Sequence, residues 1–71
     1  MTYKVEIIES GRHNLNGQRA RIMIDEVRGK TTCSLFPEQS RPLAWIAVGW
    51  PSEGNTITIQ GPNTRWTLEV V

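Results

Sequence analysis

A chain of 71 residues carrying net charge +1, with 38% apolar and 21% charged residues, has room for one modest core, which excludes a two-lobed enzyme or a long helical array. The same proportions exclude intrinsic disorder, and no apolar run approaches the roughly 20 residues of a membrane-spanning helix. Residues 1–71 read as one small domain that buries only roughly 60% of its unfolded surface, so the monomer is marginal and a homodimer is expected.

Val, Ile and Thr number 19 whereas Ala and Leu number 7, a balance that favours strands. From Thr2 to Glu9 the chain alternates, with Tyr3, Val5 and Ile7 on one face and Thr2, Lys4 and Glu6 on the other. Ser10 to Gly17 is polar and rich in Gly and Asn, which predicts a long hairpin loop. Gln18 to Arg28 alternates again, with Ala20, Ile22 and Ile24 inward and Arg19, Arg21, Met23 and Asp25 outward. A turn at Arg28-Gly29-Lys30 leads into Thr31 to Phe36, with Cys33 and Leu35 inward, and Pro37 ends the strand.

The stretch 40–50 reads two ways. As a strand it buries Ala44, Ile46, Val48 and Trp50; as a short helix over 41–48 it uses Ser40 as N-cap, Pro42 in the first turn and Gly49 as the stop. Its Trp, Ile and Val content favours the strand. Pro51 to Asn55 predicts a turn with Gly54 at positive φ. Thr56 to Gln60 and Thr64 to Val71 then alternate around a Gly61-Pro62-Asn63 turn, with Ile57, Ile59, Trp66, Leu68 and Val70 inward. The sum is an all-β chain: a small antiparallel barrel or sandwich of five or six strands, SH3-like or OB-like in size, whose alternative form carries one short helix near 41–48.

Chemistry is sparse by comparison. His13, Asp25 and Cys33 each occur once, and the alternation sends them to a loop, an outer face and an inner face, so no relay of base and nucleophile forms. One His and one Cys do not make a zinc site, and no cofactor motif is present. Gly29-Lys30-Thr31-Thr32 copies the end of a phosphate-binding loop, but Ile24 stands where that pattern needs glycine, and a strand follows where it needs a helix. The single thiol of Cys33 suits a small apolar core position. A non-enzymatic protein without metal or cofactor is the expectation. The opening Met1-Thr2-Tyr3-Lys4 lacks the features of a secretory or transit peptide, so a cytoplasmic location is expected.

The helical reading of 41–48, followed by Gly49, a turn with Gly54 and two short strands, resembles the second half of AbrB-type swapped-hairpin DNA-binding domains. It covers under half of the chain, has an extra residue before Gly54, and carries no site residue across.

Once the inward positions are filled, Ile8, Met23, Val27, Phe36, Leu43 and Trp45 remain for outer faces or strand ends, beside an excess of six arginines over two lysines. Several apolar side chains on one side of so small a body mark a partner site. Arginine and tryptophan are favoured anchors at such sites. Arg19, Arg21, Met23 and Trp45 are therefore the expected partner-binding residues, on a module that docks on a larger protein or complex. A short chain without catalytic equipment suits an accessory or inhibitor protein of a phage or other mobile element. The alternative is a nucleic-acid-binding small β-barrel using Arg12, Arg19, Arg21, Arg28 and Lys30, the basic part of 12–30.

Overall fold

The computed structural model describes residues 1–49, 52–61 and 64–71. Within them the two-residue periodicity becomes seven antiparallel strands: β1 (Thr2–Glu9), β2 (Arg19–Val27), β3 (Lys30–Pro37), β4 (Leu43–Ala47), β5 (Ser52–Glu53), β6 (Thr56–Gln60) and β7 (Arg65–Val70). They form one sheet in the order β4-β3-β2-β1-β7-β6-β5. The helical element among the described residues is a single 3-10 turn, Gly11–His13, in the β1–β2 connection. The fold is all-β, as the alternation predicts. The strand beyond the expected five or six is the two-residue β5, in the segment read as a turn; Gly54 does take positive φ, at 60°.

Arg28 and Gly29 both hold positive φ, 53° and 76°, between the paired residues Val27 and Lys30. That is a two-residue type I′ hairpin turn, whose twist matches the strands it joins. It fixes the β2–β3 register over eight residue pairs and so decides which side chains share a face. Ile22 pairs with Leu35 and Ile24 with Cys33 on the inner side, while Arg21 pairs with Phe36 and Met23 with Ser34 on the outer side.

The sheet curls far enough for its distant members to meet. The Val48 N–H donates to the Gln60 carbonyl at 2.9 Å, and the Gln60 N–H donates to the Gly49 carbonyl at 3.1 Å, so the end of β4 touches β6. This contact is one isolated bridge, and the sheet does not close. Ile7, Ile22, Leu35, Ile59, Trp66 and Leu68 fill the interior with almost no exposure.

Two readings are corrected here. Residues 43–47 are a strand, so the helix alternative for 41–48 fails, and with it the resemblance to the AbrB-type hairpin. The parity of that strand is opposite to the one read from sequence: Leu43, Trp45 and Ala47 turn inward and Ala44, Ile46 and Val48 outward. Every residue from Leu43 to Val48 is apolar, so the pattern has no polar face to choose by. The choice is made by the ring of Trp45, whose burial removes more apolar area from water than Ile46 would. The β1–β7 register shifts between Ile7 and Glu9, an irregularity that accompanies the exposure of Ile8. The inward placement expected for Trp50, and the middle of the Gly61-Pro62-Asn63 turn, lie outside the described residues.

Candidate functional site

Two surfaces collect the side chains that sequence reasoning set aside for a partner. The first is the outer face of β2, β3 and β4. Successive rows across the sheet read Lys4–Arg21–Phe36, then Thr2–Met23–Ser34–Ala44, then Asp25–Thr32–Ile46. Met23, Phe36 and Ile46 are 40%, 43% and 54% exposed, so adjoining rows each present one large apolar side chain to solvent. Lys4 and Arg21 are direct cross-strand partners of like charge, an unfavourable pairing. The ion pair formed among the described residues is Met1 with Asp25, so neither cation is neutralised by an acid. Arg19 continues the basic edge of this face, opposite Glu6.

The second surface is a cleft where the 3-10 turn, β4 and the start of β7 converge. Trp66, 1% exposed, stacks with Trp45 (centroids 5.1 Å apart, planes 14° from parallel) and with His13 (5.0 Å, 25°). Arg12, Leu43, Ala44 and Thr64 complete a cavity of about 220 Å³ beside these rings. Trp45 is therefore half-buried against the interior and not on the outer face where sequence placed it with Arg19, Arg21 and Met23.

A polar clamp holds the loop that carries His13. Ser10, fully buried, donates its backbone N–H to Asn16 Oδ1 at 2.8 Å and its hydroxyl to the same oxygen at 2.7 Å, while the Leu15 N–H donates to Ser10 Oγ at 2.8 Å. The His13 N–H donates to the Ser10 carbonyl at 3.1 Å, and Asn14, at φ 56°, ends the turn. Leu15 then enters the core from what sequence showed only as a polar loop. Gly11 packs so closely on Thr64 that a Cβ there would run into Thr64 Oγ1. Gly61 likewise backs onto Trp45, since a Cβ at that position would lie 3.3 Å from Trp45 Cδ1.

Trp45 Nε1 and Thr64 Oγ1 are both sealed from solvent and lack a hydrogen-bond partner among the described residues. The Trp45 N–H is thus not offered to a ligand in the cleft.

The basic residues of 12–30 are spread along the molecule. Arg12 sits at the cleft, Arg19 and Arg21 on the outer face, and Arg28 and Lys30 at the β2–β3 turn. At roughly 3.3 Å per residue, β2 puts Arg19 and the turn about 30 Å apart, close to the 32 Å length of the molecule. His13, Asp25 and Cys33 occupy the 3-10 turn, the outer face of β2 and the core. Burial pushes the Cys33 thiol up from its ordinary value of 9.0. Among the described residues no three of His, Cys, Asp and Glu come together as a metal site, and no helix is long and apolar enough to cross a membrane. Comparison with protein-family models, curated proteins and solved structures finds no match to this chain.

Proposed function

We propose that this chain is a non-enzymatic docking module that binds a larger protein through the outer face of β2–β3–β4. The observation that carries this reading is the row Lys4–Arg21–Phe36: two unneutralised cations side by side, continued by an exposed ring. A sheet face without a partner gains nothing from adjacent like charges, whereas carboxylates on a partner offset them and the ring supplies apolar area. Arg19, Arg21 and Met23 belong to this proposed docking face. Phe36 and Ile46 take the place of Trp45 as the apolar part of this face. The partner is accordingly an acidic protein surface with an apolar centre. An accessory or inhibitor protein of a phage or mobile element, active in the cytoplasm and assembled as a homodimer, remains the biological setting that suits a chain of this size.

The test compares proteins captured from the native host by the wild-type chain and by Met23→Ser/Phe36→Ser. Met23 and Phe36 are 40% and 43% exposed, so the double variant gives up part of its packing, and capture is compared below the melting temperature measured for each chain. Specific loss of one captured protein supports the reading, and equal capture by both overturns it. A labelled random oligonucleotide bound at low salt, and released steeply as salt rises, would assign the same cations to phosphates instead.

A further inference from the structure

The geometry points to the cleft between the 3-10 turn, β4 and β7 as the seat of one aromatic side chain of the docked protein, carried on an extended segment with acidic neighbours; this rests on the docking reading above. Volume comes first. At about 220 Å³ the cavity is smaller than the roughly 300–1,000 Å³ of ordinary small-molecule pockets, and it suits a single ring presented on a chain.

The walls specify a ring. Trp66, 1% exposed, is already stacked with both Trp45 and His13, so the rings left to meet a ligand are the half-buried Trp45 and the exposed His13, against which a further planar group gains offset-stacking contacts in addition to its area burial. Because Trp45 Nε1 is sealed, the pocket favours a ring for its surface and not for a hydrogen bond.

Charge sets the flanking residues. Arg12 and His13 stand at the cleft and no acid lines it among the described residues, the Glu9 carboxylate being taken by the Gly11 N–H at 3.0 Å, so carboxylates on either side of the entering ring meet donors. Continuity sets the direction of approach. Ala44 lines the cleft and also ends the outer row that holds Met23 and Ser34, so a segment crossing the proposed docking face reaches the cleft over Ala44.

The edge of β4 can also guide that segment. In the β2–β3 hairpin the pair beside the two-residue turn is hydrogen-bonded, and alternation from there assigns Thr31, Cys33 and Leu35 to bonding with β4. Their partners Ala47, Trp45 and Leu43 use their backbone groups toward β3, which leaves those of Ala44 and Ile46 directed to the opposite side. A strand laid beside Ala44 can pair there by edge addition while its ring enters the cleft.

The probe is the peptide acetyl-Glu-Phe-Glu amide, titrated into the intact chain and followed by the indole N–H signals of Trp45 and Trp66 in a two-dimensional amide spectrum. Saturable shifts at both indoles are expected. Replacement of the ring by alanine, or of the glutamates by lysine, should weaken binding about tenfold or more. Arg12→Glu, an exposed substitution that leaves the fold intact, should lose the acidic peptide and gain the lysine-flanked one; Ala44→Glu should lose the acidic peptide.

Indole signals that stay fixed up to about 1 mM acidic peptide overturn the proposal. So does equal binding of the acidic and lysine-flanked peptides, and so does phenylacetate binding as tightly as the peptide, which would make the cleft a site for free aromatic acids. Failure here with capture still lost in Met23→Ser/Phe36→Ser removes the ring seat and leaves the outer-face reading standing; unchanged capture removes the latter.

Discussion

Trp45 stacks on Trp66 with centroids 5.1 Å apart although β4 and β7 are not neighbours in the sheet. The contact spans the interior and, with the Gly49–Gln60 bridge, ties the β4 edge to the far side of the curled sheet. The same ring that holds the fold therefore walls the candidate cleft. Trp45→Ala should cost about 3 kcal/mol, the low end for a Trp truncation because the ring is only half-buried. On a domain of this size that is a large fraction of the total stability.

Trp45→Phe separates stacking from the indole N–H. It keeps an aromatic face against Trp66 and deletes a sealed donor that lacks a partner among the described residues, a group whose burial costs about 1–3 kcal/mol. Loss of that penalty offsets the smaller ring, and the net change should stay below about 1.5 kcal/mol. Urea midpoints of the three proteins check both values. A phenylalanine variant as unstable as the alanine variant would show that the indole, not the stack, is what the site needs.

Gly11 and Thr64 form a second close pair, joining the 3-10 turn to the start of β7. Gly11→Ala faces two obstacles, a φ of +59° and a Cβ that meets Thr64 Oγ1, and should cost about 2–3 kcal/mol. Thr64→Ala alone deletes a sealed hydroxyl without a partner among the described residues, relieving about 1–3 kcal/mol against about 0.8 kcal/mol for the lost methyl, and should leave stability unchanged or raised. Combined, the two should be less costly than their sum by about 1 kcal/mol, because the hydroxyl that obstructs the new Cβ is gone. A strictly additive double-mutant cycle would assign the whole cost to the backbone conformation.

How far these features were readable from sequence follows from where polar residues interrupt the pattern. In β2 the order Arg19, Ala20, Arg21, Ile22 leaves only one face that can be buried, so register, core and outer cations were all legible. In β4 the run Leu43 to Val48 has two apolar faces, and only the Trp45–Trp66 contact, a relation between distant segments, chooses between them. The cleft was hidden for the same reason. Its walls come from the 3-10 turn, β4 and β7, and Leu15 and Ser10 enter the core because Asn16 captures the Ser10 hydroxyl and N–H. A serine six residues before an asparagine in a polar loop carries no periodic signal. Phe36 could have been named beside Arg21 once a two-residue turn at 28–29 was assumed, since the register follows by counting.

The turn itself supplies a stabilising substitution. Arg28 holds φ at 53°, a conformation costly for most L-residues and tolerated by asparagine, and Asn-Gly is the favoured pair for a type I′ turn. Arg28→Asn should raise stability by about 0.5–1 kcal/mol, read as a higher urea midpoint with an unchanged slope. Because Arg28 lies at the end of β2 away from Arg19, partner capture should be unaffected. Loss of capture in this variant would extend the docking surface to the β2–β3 turn.

Cys33 gives the fold a dependence on alkaline pH with a definite sign. Burial among core side chains raises its folded-state pKa above the ordinary 9.0, so the native chain keeps the thiol proton where the unfolded chain has begun to lose it. The native state then binds more protons than the unfolded state, and stability falls as pH rises. The contribution is intact below the unfolded thiol's pKa and lost progressively as pH climbs through and beyond it toward the folded value. Unfolding free energies measured between pH about 7 and 10 should show this decline in the wild type and a flatter profile in Cys33→Ala. The same burial makes the thiol inert: a thiol-specific reagent at neutral pH should label it only at the rate at which the chain opens, and at once in denaturant. Rapid labelling of the folded protein would mean that the inner face of β3 is open to solvent, and the packing described for Ile24, Cys33 and Trp45 would not hold.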